Sequence, residues 1–216
     1  MPNDQFGNDY GETCLPEYDS AASFHKGRYS WSLHHIPGGR GLDVGCGIGY
    51  GSQILLDRCL SYVGFDKYPS RKQRADFEFK NDRAEFLTLS ANDIFPFESE
   101  SFKSAVCFEA IEHIENDWQC VREIARCLDD DGVFVCSTPI NKGQQKGHFH
   151  IREYTVQQFQ EMINHAFSEV SYWGQNHGED FKENAFEQIY ILCVAKKPIR
   201  KNESSRISPQ DTNAVS

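Results

Sequence analysis

The chain has 216 residues, of which 39% are hydrophobic and 13% aromatic, enough for one domain with a substantial core. Its formal net charge of −10 argues against an extended interface with nucleic acid or an anionic membrane, since both require a basic face. No apolar run is long enough to span a bilayer, and residues 1–4 do not begin a signal peptide. The eight cysteines form no C-x-x-C pair, which indicates free thiols and a cytoplasmic location.

Three parts follow one another along the chain. Residues 1–20 are polar and carry Gly, Pro and Asn, so we expect a mobile lead. The folded domain is expected over 21–196. Residues 197–216 are charged and rich in Ser and Asn without periodicity, which predicts a disordered tail.

Within the domain, apolar periodicity predicts strands that alternate with helices. We expect seven strands, at 41–45, 61–65, 85–89, 103–108, 132–137, 168–173 and 187–195. We expect helices at 20–35, 50–58, 70–77, 116–128 and 155–166, the last with Thr155 as its N-cap. This order predicts an α/β fold: a Rossmann-like, seven-stranded, mostly parallel sheet with helices on both faces and an antiparallel C-terminal hairpin strand.

The most informative segment is G-L-D-V-G-C-G-I-G-Y-G at residues 41–51. A short apolar strand carrying Asp43 runs into a glycine-dense turn, and helical spacing begins directly after the turn. Glycine lets main-chain N–H groups approach a nucleotide-like ligand because no Cβ intervenes. We expect Gly45, Cys46 and Gly47 to make this approach, with Asp43 facing the ammonium of an amino-acid moiety.

A second acid, Asp66, ends the next strand, nineteen residues after Gly47. A carboxylate there, with Lys67 beside it, is placed to accept hydrogen bonds from both ribose hydroxyls of an adenosine. A dinucleotide-binding turn would need a third glycine where Tyr50 stands, so NAD is the weaker alternative. The basic residues that follow, Arg71, Lys72 and Arg74, are interpreted as a solvated helix face.

The pattern D-x-G-x-G-x-G resembles the first motif of the class I S-adenosylmethionine-dependent methyltransferases. The resemblance implies S-adenosyl-L-methionine as the cofactor. It also implies that the loop carrying Asn92, Asp93 and Ile94 covers the adenine, with Phe108 at the end of the following strand. One departure is Ala91, which stands where these enzymes often have an acid.

The segment after the fourth strand carries the most reactive side chains. If a helix starts near Glu109, then Glu109, Glu112 and His113 lie at i, i+3 and i+4 on one face. Ligands bind at this carboxyl edge in open α/β sheets. Two carboxylates and an imidazole form either part of a hard-metal site or a base with its orienting partner. Downstream, a glycine-rich flap would bring His148 and His150 over the cofactor.

E-x-x-E-H together with S-T-P-x-N and F-H-x-R-E-Y-T is similar to bacterial class I methyltransferases that modify glycans or small metabolites. The similarity extends to the pairs Arg28–Tyr29 and Gly174–Gln175. It implies O-methylation of a hydroxyl on a small metabolite or glycan precursor. The base would be His113 or His150, oriented by Glu109 or Glu112.

A competing resemblance is to the metal-dependent 2′-O-methyltransferases of small-RNA 3′ ends. It implies a Mg²⁺ or Mn²⁺ ion that a terminal vicinal diol chelates. The protein ligands of this ion would be Glu109, Glu112, His113 and His150 or His148. Many relatives keep the Glu–His pair without binding a metal, and the acidic surface of this chain would not attract an RNA backbone. The sequence therefore favours a site without a metal ion. A non-catalytic S-adenosylmethionine-binding protein is the remaining alternative. The sequence names neither the acceptor nor the oligomeric state.

Overall fold

The computed structural model describes residues 23–141, 150–178 and 180–200. The expected lead at 1–20, the flap with His148 and the tail from 201 onward lie outside the described residues. One sheet runs through the molecule, with strands β1 (Arg40–Val44), β2 (Ser61–Asp66), β3 (Ala84–Thr88), β4 (Phe102–Phe108), β5 (Leu128–Pro139), β6 (Phe167–Gln175), β7 (Phe181–Glu183) and β8 (Tyr190–Pro198).

The order of these strands across the sheet is β3-β2-β1-β4-β5-β8-β6-β7. β1 pairs in parallel with β2 and β4, and β3 and β5 extend the parallel set on either side. β8 runs antiparallel between β5 and β6. The predicted Rossmann-like, mostly parallel sheet with an antiparallel C-terminal strand is therefore confirmed.

All seven predicted strands are present, and β7 is an eighth strand that the sequence analysis did not contain. β7 has only three residues, Phe181–Glu183, which are too few to produce a periodic signal. β8 continues to Pro198, past the boundary expected at 197.

Helices cover both faces of the sheet. They are α1 (Ser23–Ser32), α2 (Gly51–Leu55), α3 (Pro69–Phe79), α4 (Asp117–Cys127) and α5 (Val156–Asn164), with a short 3₁₀ helix at Ile111–His113. α3 is longer than the piece expected at 70–77. Thr155 caps α5 as predicted: its hydroxyl accepts from the Gln158 N–H while the Gln158 side chain accepts from the Thr155 N–H.

Two apolar layers fill the space between the helices and the sheet. On one face, the side chains of α4 and α5 pack on those of the central strands, with Ile124 and Phe159 fully buried. On the other face, α1, α2 and α3 pack through Tyr29, Leu55 and Ala75. Both layers close below the carboxyl edge of the parallel strands and hold the loops at that edge in place.

The seven cysteines within the described residues are free and buried. Among those residues, no helix is both long enough and apolar enough to cross a membrane.

Candidate active site

The glycine turn after β1 lies at the carboxyl edge of the parallel strands. Gly45, Gly47 and Gly49 have φ values of +74°, +57° and +87°, in the left-handed region that glycine adopts without strain. The N–H groups of Gly45 and Cys46 both donate to the carbonyl of Phe65, at 2.9 and 3.0 Å. The turn is thereby fixed to the end of β2 as a rigid strip of bare main chain.

Asp43 on β1 is fully buried beside this turn. The hydroxyls of Tyr29 and Tyr62 donate to its Oδ2, at 3.1 and 2.8 Å. Its Oδ1 is buried and has no hydrogen-bond partner among the described residues. Burial raises the pKa of Asp43 to about 7, although the two hydroxyl donors oppose the rise. A buried carboxylate oxygen in need of a partner suits a cationic group.

Asp66, the last residue of β2, is 5% exposed and accepts three hydrogen bonds. The Gly47 N–H donates to Oδ2 at 3.2 Å, and the Tyr68 N–H donates to Oδ1 at 3.1 Å. Arg71 Nη1 also donates to Oδ2, at 2.8 Å. Lys67 is exposed, with its Nζ 5.1 Å from the centre of the Tyr68 ring. The glycine turn and Asp66 are thus in direct contact through the Gly47 N–H, which the sequence analysis did not anticipate.

The residues expected around the adenine lie on the loop after β3. The Asn92 Oδ1 accepts from the Asn116 N–H at 2.9 Å, and the Asn92 carbonyl accepts from the Gln119 side chain at 3.2 Å. Asp93 and Ile94 are exposed, Ile94 by 74%. Asn92 therefore ties the loop to the start of α4, and Ile94 offers apolar surface at the carboxyl edge.

Phe108, at the end of β4, forms a wall beside the glycine turn. It is 8% exposed and packs edge-on against Tyr29, with ring centres 4.9 Å apart. Tyr29 also covers Gly51, where a Cβ would lie 2.2 Å from its ring. Glycine at 51 is therefore required by the close approach of α1.

Glu109 does not begin a helix, so the expected shared face is wrong. Its φ of +51° is left-handed, and only one 3₁₀ turn follows. The Ser137 Oγ donates to Glu109 Oε1 at 2.8 Å, and Arg28 Nη1 lies 3.1 Å from the same oxygen. These contacts hold the Glu109 carboxyl away from a helix face with Glu112 and His113.

Arg28 is a site residue that the sequence analysis identified only as part of a motif. It is fully buried, and its Nε donates to Gln175 Oε1 at 2.7 Å. Its guanidinium carbon lies 4.2 Å from the centre of the Tyr190 ring. Arg28 thus joins α1 to the ends of β4 and β6 and supplies the positive charge opposite Glu109. The recurrence of Arg28–Tyr29 in the resemblance was the only available signal.

Glu112 is 1% exposed and lies in the 3₁₀ turn. Burial and the neighbouring Glu109 raise its pKa, while the Thr138 hydroxyl donates to its Oε2 at 3.2 Å. Its carbonyl accepts from the N–H groups of Ile151 and Arg152, at 3.1 and 3.3 Å. These main-chain bonds dock the segment after residue 150 onto the turn.

The docking brings His113 and His150 together. One candidate ligand atom from each of Glu112, His113 and His150 lies within 4.8 Å of the other two. The two imidazole centres are 5.0 Å apart, and Glu112 Oε1 lies 3.9 Å from His113 Nε2. Glu153, which the sequence analysis missed, places Oε1 3.4 Å from His150 Nδ1.

We name two parts of this carboxyl edge by the roles proposed for them below: the cofactor half, around the glycine turn, and the acceptor half, around the imidazole pair and the Arg28–Glu109 ion pair. In the cofactor half, bare main chain, an unpartnered oxygen on Asp43 and a carboxylate at Asp66 fit an adenosyl group that carries an amino acid. The strand order and this site define a nucleotide-binding α/β domain of the methyltransferase type.

Comparison with known proteins agrees with this assignment to a methyltransferase-type domain. Residues 42–136 match the family described as a methyltransferase domain. A Mycolicibacterium smegmatis protein named "Probable S-adenosylmethionine-dependent methyltransferase" is 30% identical over 152 residues, which cover 68% of this chain and 58% of that protein. The ubiquinone biosynthesis O-methyltransferase of Neisseria meningitidis is 30% identical over 118 residues, covering 53% of this chain and 49% of that protein. Residues 42–136 are therefore a class I S-adenosylmethionine-dependent methyltransferase domain, and the chain spans about half the length of the curated relatives it matches.

Solved structures give the same fold at low sequence identity. A chain from the complex between the Haloferax volcanii Trm112 methyltransferase activator and a methyltransferase superposes with a TM-score of 0.67 and 18% identity, covering 83% of this chain and 92% of that one. An S-adenosylmethionine-dependent methyltransferase of Thermotoga maritima gives a TM-score of 0.64 and 18% identity, covering 81% of this chain and 92% of that one.

Proposed function

We propose that the protein transfers the methyl group of S-adenosylmethionine to a hydroxyl of a small metabolite or glycan precursor. The observation that carries this proposal is the meeting of His113, His150 and Glu112 at the carboxyl edge. A hydroxyl loses its proton as the methyl group arrives, so a base must stand near it. The O-methyltransferase among the relatives supports oxygen as the nucleophile.

The cofactor half binds S-adenosylmethionine and aligns its methyl group with the acceptor. S-Adenosylmethionine, when bound, supplies a methyl group already activated by its positive sulfur, so alignment and exclusion of water are the main tasks of the protein. In our proposal Asp43 binds the ammonium and Asp66 accepts from the ribose hydroxyls. The main chain at Gly45, Cys46 and Gly47 lies along the amino-acid moiety.

The adenine is bounded by the loop after β3. We propose that Asn92, Asp93 and Ile94 flank it, with the apolar side chain of Ile94 closing over the ring. Phe108 forms the wall beneath, and Lys67 borders the ribose. The fixed position of Asn92 on the start of α4 supports this arrangement.

The acceptor half removes the proton. We assign the base to His150. Its buried Nδ1 forms no hydrogen bond with the described residues, and Glu153 Oε1, 3.4 Å away, is the carboxylate that would orient the ring for proton uptake at Nε2. His113 is the alternative base. Its carboxyl neighbour Glu112 is buried with a raised pKa, which favours a neutral acid and gives His113 less support as a base.

A methyl-transfer screen with labelled S-adenosylmethionine against hydroxyl-bearing metabolites and sugar precursors tests the proposal. With an acceptor identified, His150→Ala should lower kcat by roughly 10²- to 10⁴-fold, while the Kd for S-adenosylhomocysteine stays at the wild-type value. Full turnover in both His150→Ala and His113→Ala would rule out a histidine base. Cofactor binding without transfer to any acceptor would favour the non-catalytic alternative.

A divalent-ion mechanism is the second candidate, favoured by the three donor atoms within 4.8 Å. Glu112, His113 and His150 would hold Mg²⁺ or Mn²⁺, and a vicinal diol such as an RNA 3′ end would be the acceptor. Glu109, expected as a fourth ligand, is already bonded to Arg28 and Ser137, which argues against the full set. Turnover that falls with a chelator and returns with Mn²⁺ would establish the ion. Turnover unchanged by the chelator would exclude it.

A further inference from the structure

Arg71 has a position that the proposed reaction does not explain. Its neighbours Lys72 and Arg74 make i,i+4 ion pairs along α3. Arg71 instead is 7% exposed and turns back to the end of β2, where its Nη1 lies 2.8 Å from Asp66 Oδ2. Its guanidinium carbon lies 4.5 Å from the centre of the Tyr68 ring. A buried, stacked and paired arginine at the ribose carboxylate requires a reason.

The hydrogen bonds at Asp66 supply one. An ionised carboxylate accepts about four hydrogen bonds, two at each oxygen. Oδ2 already accepts from Gly47 and Arg71, and Oδ1 accepts from Tyr68. Two ribose hydroxyls would raise the total beyond this capacity. If the hydroxyls divide between the two oxygens, one of the donors on Oδ2 must leave.

Of those two donors, Arg71 is the one that can leave. The Gly47 amide follows Gly45 and Cys46, whose own amides are bonded to the Phe65 carbonyl, so it moves only with the whole turn. The Arg71 donor stands at the end of a long side chain with several rotatable bonds, so it can leave Oδ2 while the turn stays in place.

We propose that Arg71 is a specificity-determining residue that competes with the ribose hydroxyls for Oδ2 of Asp66. The inference rests on the proposed role of Asp66 as the ribose ligand. Ligands with both hydroxyls must displace the guanidinium, whereas ligands without them leave the ion pair in place. The competition reduces the affinity for adenine ribosides and eases release of S-adenosylhomocysteine after each turnover.

Calorimetry or NMR titration with adenosine and 2′,3′-dideoxyadenosine tests this competition in the full chain. Both probes are uncharged, so any change in Kd is not caused by repulsion between ligand and arginine. Arg71→Met should lower the Kd for adenosine by roughly three- to tenfold, the worth of one regained hydrogen bond. The Kd for the dideoxy compound should stay within about twofold of wild type. Arg74→Met, on the same helix, is the matched control and should change neither value.

The outcomes separate this inference from the proposed function. If Asp66→Asn leaves the Kd for adenosine unchanged, Asp66 is not the ribose ligand. This result overturns both the proposed role of Asp66 and the competition with Arg71. If Asp66→Asn weakens adenosine binding but Arg71→Met gives equal or weaker binding, only the competition is overturned. Equal tightening in Arg74→Met would overturn it too, since a general charge effect would explain the result. Arg71→Gln replaces Arg71→Met if thermal unfolding shows that the methionine variant does not fold.

Discussion

The cofactor half and the acceptor half of the carboxyl edge are built from contacts of very different range. In the cofactor half, Asp66 is bonded by Gly47, Tyr68 and Arg71, all within nineteen residues of it. In the acceptor half, Arg28 reaches Gln175, 147 residues away. One half is assembled by adjacent segments, and the other only by closure of the whole fold.

This difference determines which substitutions disturb the geometry of each half. A local motif keeps its geometry as long as its own turn and strands are intact. The acceptor half depends on α1, β4, β5 and β6 meeting correctly, and Arg28 is the residue that joins three of these elements. α1 also contributes Tyr29 to the cofactor half, where its hydroxyl donates to Asp43, so the contrast is tested at single residues and not over the whole helix. The following predictions test that contrast.

Arg28→Met should have the largest effect on stability. Removing one partner of a buried ion pair leaves Glu109 uncompensated, so the free energy of unfolding should fall by about 3 kcal/mol. Urea unfolding followed by circular dichroism measures this. Lys72→Met, which breaks an i,i+4 pair on the exposed side of α3, is the control and should cost about 0.5 kcal/mol or less. Equal losses in both variants would contradict the special role of Arg28.

Gly45→Ala should cost about 2 kcal/mol and disable the cofactor half. The φ of +74° strains any L side chain, and the added Cβ would lie 2.6 Å from that of Ala110. Thermal unfolding and the Kd for S-adenosylhomocysteine measure the two consequences. Gly178→Ala, whose Cβ would lie 4.0 Å from the nearest atom, is the control with little expected effect. Normal cofactor binding by Gly45→Ala would refute the close approach of the turn.

Binding of S-adenosylmethionine should weaken as the pH falls below 7. The pKa of Asp43 is about 7, and an ammonium partner requires the ionised carboxylate. The Kd at pH 6 should be up to about tenfold above its value at pH 8. Asp43→Asn should bind more weakly with a flatter profile, and an unchanged slope would assign the pH dependence to another group.

The same shift acts with the opposite sign on stability without ligand. The pKa of Asp43 lies above its ordinary value of 3.8, so the folded state binds more protons than the unfolded state between these values. The Asp43 contribution to the free energy of unfolding is therefore greatest at the acid end of this range and declines as the pH rises through it. The difference between wild type and Asp43→Asn, measured by urea unfolding across this range, isolates the contribution.

Thr155→Ala should have the smallest effect. It removes one side of the capping box of α5 and should cost about 1 kcal/mol. Gln157→Ala removes only an exposed side-chain bond to Glu161 and serves as the control. A loss of methyl transfer beyond that explained by stability would show that the start of α5 positions His150.

The contrast in range also explains what the sequence could predict. Asp43, Asp66 and the glycine turn follow from the strand–turn–helix pattern and the rule that parallel strands end at one edge. The meeting of His113 and His150 followed from a motif. The Glu109 geometry did not, because an arginine 81 positions earlier determines it. Lys72 lies at the helix surface as expected, yet nothing in the local pattern distinguishes it from the buried Arg71 or from Arg74, whose side chain is 12% exposed.

The place of β8 has a consequence for biosynthesis. Among the described strands β8 is the last to be translated, yet it lies between β5 and β6 in the interior of the sheet. Until residues 190–198 have left the ribosome, the flank of β5 stays open with a row of unsatisfied peptide groups. β6 pairs with β8 and so cannot join the parallel strands until β8 has been made. The nascent chain therefore has an unpaired strand edge on β5 until late in its synthesis. If translation stalled before β8 emerged, this edge could pair with other chains and cause aggregation.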